Sequence, residues 1–225
     1  MYRNVSRGIF FEIDGTLADS DAAMQRVFAE FATTLGRSVG DAEFAALSGP
    51  PAAILIATLK RNWSLPQKLT ELIQLYDRLA DVAFEHVAPV PAAAATLEAA
   101  FGQGFKIGIV TSNGAARCRR WLATAGLARF VDIVVGGDEV CLGKPDPEPY
   151  LMALARSGCA RDASIAVENS AHGAKSALAA RLRVFGFAPE GRADLEWPEP
   201  VRLIGALDEL MMELTRPRFR RAAGR

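Results

Sequence analysis

Short apolar runs alternating with helical stretches of about 11 residues set the tightest limit on what this chain can fold into. From residue 105 onward the alternation is regular. Residues 105–110, 131–135, 164–167 and 183–187 read as strands, and residues 115–125, 148–157 and 171–181 as the helices between and after them. A helix over 92–101, ended by Gly102-Gln103-Gly104, leads into the first of these strands. The pattern implies repeated βαβ units: an α/β fold with a Rossmann-like, mainly parallel sheet flanked by helices.

One more strand opens the chain. Residues 8–20 read Gly-Ile-Phe-Phe-Glu-Ile-Asp-Gly-Thr-Leu-Ala-Asp-Ser, an apolar β-forming run that ends in a turn of acids, glycine and hydroxyls. In open α/β sheets ligands sit outside the carboxyl ends of the strands, where Glu12, Asp14 and Thr16 would emerge. Period-2 alternation puts Glu12 and Asp14 on one side, about 7 Å apart along an extended chain. Two such carboxylates can hold one divalent cation or divide nucleophile and acid/base roles.

Between this strand and the regular alternation lies a block with only helical signals. Asp19 and Ser20 are candidate N-caps of a helix to about residue 35, with Val27, Phe28, Phe31 and Leu35 on its apolar side and Gly36 as its stop. A short helical turn at 41–47, an interruption at 48–51, a helix over 52–60 and an amphipathic stretch from Pro66 to about residue 87 follow. The expected organisation is a core of residues 1–17 and 89–215, an inserted all-helical cap of residues 18–88 and a basic tail of residues 216–225.

Three further segments carry chemistry at strand ends. Thr111-Ser112-Asn113-Gly114 offers hydroxyl and amide groups ahead of a helix N-terminus, which suits an anion but is more often a plain helix cap. Lys144, between Gly143 and Pro145, is a point charge held in a defined loop and suited to phosphate. Val167-Glu168-Asn169-Ser170 ends the next strand with hard oxygen donors.

Together with residues 8–20, these segments resemble the four motifs of the haloacid dehalogenase superfamily of hydrolases, across the whole core. The resemblance implies a Mg²⁺-dependent phosphomonoester hydrolase. Glu12, Asp14, Thr111 and Lys144 would be its catalytic residues, Thr111, Ser112, Asn113 and Lys144 its substrate-binding ones, and Glu12, Asp14, Glu168 and Asn169 its metal ligands. In that scheme a carboxylate attacks phosphorus, and the acid two residues on protonates the leaving oxygen and then activates water. The wording of the second and third segments is closest to sugar-phosphate phosphatases of the 6-phosphogluconate phosphatase and β-phosphoglucomutase type.

Two positions depart from the family pattern. Glu12 stands where the nucleophile is an aspartate, and a displacement of about 1 Å in a positioned reaction can cost on the order of 100-fold. Asn169 stands where the second metal-binding acid is usual and removes a charge. Three readings stay open: a working phosphatase adjusted to a longer nucleophile, a fold that kept phosphate binding and lost turnover, and a chain altered at both positions to silence it.

The remaining features point away from other functions. The formal net charge of the 225 residues is zero, and five of the 26 basic residues fall in the tail, so the body is mildly acidic and shows no nucleic-acid surface. Cys118, Cys141 and Cys159 have neither disulfide-framework nor zinc spacing, which fits a reducing cytoplasmic setting. No run is long enough for a signal or membrane segment. The expected partner is a small phosphorylated metabolite, with no nucleic acid or membrane; the oligomeric state is not legible. His86 reads as solvated or hydrogen-bonded and His172 as no metal ligand, Gly49 stays open between a plain helix break and the substrate-specificity loop that the resemblance implies there, and Arg117, Arg119 and Arg120 read as a solvated helix face.

Overall fold

A computed structural model describes residues 6–40, 52–189 and 196–215. Six strands form one parallel sheet: β1 (Gly8–Phe11), β2 (Lys106–Val110), β3 (Ile133–Val135), β4 (Ile165–Glu168), β5 (Arg183–Phe187) and β6 (Val201–Ile204). Their spatial order is β3-β2-β1-β4-β5-β6. The order reverses at β1, so a crevice opens at its carboxyl end, the place where such sheets bind ligands.

Both faces of the sheet are covered, which is why β1 is apolar at every position, and β2 and β4 at all but one end position each, rather than at alternate ones. Ile9 and Phe11 face a layer containing Leu97 and Ala100 of α4 (Ala93–Gly102), Cys118, Trp121 and Leu122 of α5 (Ala115–Thr124), and Leu210 of α8 (Leu207–Thr215). Phe10 faces the opposite layer, with Tyr150 and Ala153 of α6 (Glu148–Ser157) and Ala174 and Ala177 of α7 (Ala171–Ala179).

The strand β6 and the helix α8 were not expected from the sequence. Of Val201–Ile204 only Ile204 is fully buried, so this edge strand lacks an apolar run to mark it. The strand expected at 131–135 is shortened to Ile133–Val135, because Phe130 and Val131 close a turn on Leu127 and Ala128.

Between β1 and β2 stand α1 (Asp21–Thr34), α2 (Ala52–Asn62) and α3 (Leu69–Phe84), with their own apolar cluster. Leu72, Tyr76, Ala80 and Phe84 repeat every four residues along the buried side of α3; Val27, Phe28 and Phe31 of α1 cluster with the first three, while Phe84 packs into the core against Trp121. Each fully buried large side chain of this kind contributes about 1.5–3 kcal/mol. The helix α3 begins later than Pro66, where the Lys68 amide donates to the Glu71 carboxylate at 3.2 Å and closes the first turn. The chain leaves and re-enters the core side by side: Asp19 donates to the Ala88 carbonyl at 2.9 Å, and Val90 to that of Leu17 at 2.8 Å. The expected turn at 41–47, the break at 48–51 that includes Gly49, and the tail at 216–225 lie outside the described residues.

Candidate active site

Strand register assembles the site. Phe11 pairs with Ile109 of β2 and with Val167 of β4, so the residues that follow, Glu12, Val110-Thr111 and Glu168, leave the sheet at one level. The Glu12 amide continues the ladder by donating to the Val167 carbonyl at 2.9 Å. The chain then turns back at once. Gly15 adopts a φ of 62°, open to glycine without strain, while the Leu17 and Ala18 amides both donate to the Ile13 carbonyl.

Glu12 does not extend into the crevice. Its Oε1 accepts from the Ile13 amide at 2.7 Å and more weakly from that of Asp14 at 3.4 Å, and its Oε2 accepts a short hydrogen bond from Lys144 Nζ. The extra methylene is thus taken up by folding the side chain back on its own main chain. Lys144 reaches inward from the loop before α6. Asp146 holds that loop at both ends: its Oδ1 accepts from the Glu148 amide at 2.9 Å, and its carbonyl accepts from Ser176 Oγ of α7 at 2.5 Å.

The Lys144 ammonium is almost wholly buried and donates to three acceptors: Glu12 Oε2, Glu168 Oε1 at 2.5 Å and the Val110 carbonyl at 2.9 Å. Burial disfavours its charge, but Glu12 and Glu168 outweigh that, and its pKa lies above the ordinary lysine value. Glu168 Oε1 also accepts from the Tyr150 hydroxyl, while Oε2 is buried without a hydrogen-bond partner and packs over Gly173. Burial pushes the Glu168 carboxyl up to about 7 against the opposing pull of Lys144.

Asp14 lies beside this triad, half-buried, with its Oδ1 accepting from Ser20 Oγ at 2.8 Å and its Oδ2 from Asn113 Nδ2 at 3.1 Å. Burial, then the neighbouring Glu12 charge, push its carboxyl up to about 6. That range suits a group that must both give and take a proton near neutrality. Ser20 stands at the N-cap of α1 as expected, but its side chain makes no capping bond, its hydroxyl being turned to Asp14 instead.

Thr111 is buried, and its Oγ1 accepts from the Asn113 amide at 3.1 Å, which leaves its own proton to donate. Ser112 and Asn113 are half-buried at the same strand end. Asn113 turns its amide between Asp14 and Arg117, and Asn169 is half-exposed just beyond Glu168. All the expected site residues therefore lie at the carboxyl ends of β1, β2 and β4 or on the loop before α6.

One expectation is overturned. Arg119 and Arg120 are exposed, but Arg117 is 6 % exposed and is held by Asp77 and Asp81 of α3 at 3.0 and 2.6 Å. The signal that could have found it is the pair Asp77 and Asp81, four residues apart on one face of an amphipathic helix. His86 and His172 are exposed.

The donors suit Mg²⁺ in kind. They are hard oxygens: the Glu12 and Glu168 carboxylates share the Lys144 ammonium and the Asp14 carboxylate lies beside them, the Asp14 and Glu168 values being raised first by burial. They do not form a ready-made cage: among the described residues no three His, Cys, Asp or Glu side chains converge on one point. An ion would draw also on the Asn169 amide oxygen, main-chain carbonyls and water.

Comparison with known proteins bears on the family and the fold. Residues 9–187 match the family model for haloacid dehalogenase-like hydrolases. Phosphoglycolate phosphatase of Salmonella typhimurium is 28% identical over 197 residues, covering 77% of this chain and 78% of its own. The pyrophosphatase PpaX of Halalkalibacterium halodurans is 26% identical over 208 residues, covering 90% and 94%. A crystal structure of a CbbY mutant from Rhodobacter sphaeroides, in complex with xylulose-(1,5)bisphosphate, superposes with a TM-score of 0.79 at 22% identity, covering 92% and 96%. Among the described residues no helix is long and apolar enough to cross a membrane.

Proposed function

Because the chain belongs to the haloacid dehalogenase-like hydrolases, we propose that it hydrolyses phosphomonoesters of small metabolites in the crevice at the end of β1. The observation that carries this reading is the Lys144 ammonium between Glu12 and Glu168, with Asp14 beside it held by Ser20 and Asn113. Relatives named for phosphoglycolate and pyrophosphate, and one solved with a sugar bisphosphate, support small phosphorylated substrates. Residues 18–88 act as the cap that closes the crevice and selects among them.

In this reading Lys144 and the Thr111 and Ser112 hydroxyls hold the phosphoryl oxygens, with Asn113 at the rim. A Glu12 oxygen attacks phosphorus while the bond to the leaving oxygen breaks, and Asp14 gives that oxygen its proton. Asp14, now ionised, takes a proton from the water that attacks the glutamyl phosphate, and phosphate leaves with Glu12 restored. Glu12, Asp14, Glu168 and Asn169 would hold Mg²⁺, which when bound supplies positive charge against the transferring phosphoryl group. Reaction requires Glu12 to swing off its own main chain.

A second reading has its own support. Both Glu12 oxygens are already engaged, one on main-chain amides and one on Lys144, as suits a cleft that binds phosphate without turning it over. Phosphate release from a panel of sugar phosphates and small phosphomonoesters, with Mg²⁺, separates the two. Wild type, Glu12→Asp, Asn169→Asp and the double variant are compared. Similar turnover in all four supports an adapted phosphatase; release only where aspartate is restored supports a silent binder; no release in any of them sinks the hydrolase reading.

A further inference from the structure

Arg117 stands on the first turn of α5, a core helix, yet its partners come from two sides. Nε and one terminal nitrogen bind Asp81 and Asp77 of α3, and that same terminal nitrogen also donates to the Asp77 carbonyl at 3.0 Å. The other terminal nitrogen donates a short hydrogen bond to Asn113 Oδ1. Asn113 Nδ2 then donates to Asp14 Oδ2.

The order of these bonds matters. An arginine has only donors, so it can donate only to the oxygen end of the Asn113 amide, which turns the nitrogen end to Asp14. Asp77 and Asp81 belong to the inserted helices, and their side chains are 47% and 42% exposed while that of Arg117 is 6% exposed. The guanidinium is thus buried at the seam between the inserted helices and the core, and moving α3 away would strip it of all but its Asn113 partner. Core and inserted helices also meet here at Arg120, which pairs with the same Asp81 at 2.9 Å, at the Phe84 ring set edge-on to Trp121, and at the Trp121 indole, which donates to the Val87 carbonyl at 2.8 Å.

We propose that Arg117 is a positioning residue that couples closure of the inserted helices onto the core to the orientation of Asp14, through the Asn113 amide. With Asp77 and Asp81 in place, Arg117 is held at the angle that locks Asn113, and Asp14 is aimed at the crevice. With α3 withdrawn, the Asn113 amide loses its charged partner, keeps only the Gly114 amide donating to Oδ1 at 3.2 Å, and holds Asp14 less firmly. Only the kinetic consequence rests on the phosphatase reading; the strap itself does not.

The test uses the full chain and four variants: the double change Asp77→Asn with Asp81→Asn, Arg117→Met, Arg117→Lys and Asn113→Ala. The first readout, without substrate, is the side-chain amide resonance pair of Asn113, identified by its loss in Asn113→Ala. The pair should move in the Asp77/Asp81 double variant and in Arg117→Met, and return part of the way in Arg117→Lys. The second is kcat and KM for p-nitrophenyl phosphate with Mg²⁺, in the wild-type and Glu12→Asp backgrounds. Here kcat should fall about tenfold or more with KM nearly constant, and Arg117→Met combined with Asn113→Ala should be no worse than either alone.

An Asn113 amide unmoved in the Asp77/Asp81 double variant overturns the proposal, whatever the activity. A fall in melting temperature alone, with kcat unchanged, also overturns it by reducing the contact to a brace. If the amide moves as expected but neither background releases phosphate, the strap stands and the phosphatase reading falls.

Discussion

Lys144 Nζ lies 2.5 Å from Glu168 Oε1, with the lysine side chain 3% exposed and the glutamate not exposed at all. Neither charge has water to fall back on. Taking one member from a buried pair leaves the other uncompensated, at a cost of about 3–5 kcal/mol. Here two acids, Glu12 and Glu168, share the one ammonium. Lys144→Met should therefore lower stability by at least about 3 kcal/mol, read from the urea midpoint. Tyr150→Phe removes only one donor from Glu168 and should cost about 1–3 kcal/mol. A methionine variant as stable as the tyrosine one would contradict this ordering.

Glu168 also explains why residue 173 is glycine. A Cβ there would stand 2.0 Å from Glu168 Oε2 and 2.1 Å from its carboxyl carbon. Alanine ordinarily gains about 1 kcal/mol over glycine inside a helix. At this position the clash wins, because the carboxylate is held in place by Lys144 and Tyr150. Gly173→Ala should destabilise the protein and displace Glu168, and a measured stability equal to or above wild type would show that the carboxylate has room to move.

What the sequence made legible follows from where the information is local. The helix α6 and the strand β5 fall at their expected bounds, because an apolar run or a helical stripe marks itself. Glu12, Asp14, Thr111, Lys144 and Glu168 could be picked out because each stands at the end of such a run or next to a glycine or proline. The Arg117 strap is only half legible: the Asp77–Asp81 spacing stands in the sequence, but those acids lie 40 and 36 residues before Arg117 and only the packing of α3 on α5 brings them near. The position of Ser20 as the N-cap of α1 is legible, but the turn of its hydroxyl toward Asp14 is set by tertiary contact. The folding back of Glu12 depends on rotamer and on the position of Lys144, and neither is written in residue order.

The three cysteines should behave as three different groups. Cys141 is exposed, whereas Cys118 and Cys159 are buried. Burial, and then the nearby Asp14 and Glu12 charges, push the Cys118 thiol well above its ordinary value, so it stays protonated where free thiols begin to ionise. Titration of the native protein with a disulfide reagent at pH 8 should label Cys141 alone, and all three should react in denaturant. Rapid labelling of Cys118 in the native state would mean that the layer between α5 and the sheet opens readily.

Asp14 gives the chelator-treated protein a pH dependence whose sign can be worked out. Its carboxyl is raised to about 6 in the fold, by burial first and by Glu12 second, against an ordinary value of 3.8 in the unfolded chain. Between those two values the folded protein keeps a proton that the unfolded chain has lost. Stability contributed by this group is therefore fully present below the unfolded value and declines as pH rises toward 6. Ser20 and Asn113 oppose the shift, because their hydrogen bonds favour the charged form. Removing one of them in Ser20→Ala should raise the Asp14 value further, so the decline extends to higher pH. Melting temperatures in EDTA from pH 4 to 8 read this directly, and a Ser20→Ala curve shifted toward lower pH would show that the hydroxyl does not stabilise the Asp14 carboxylate.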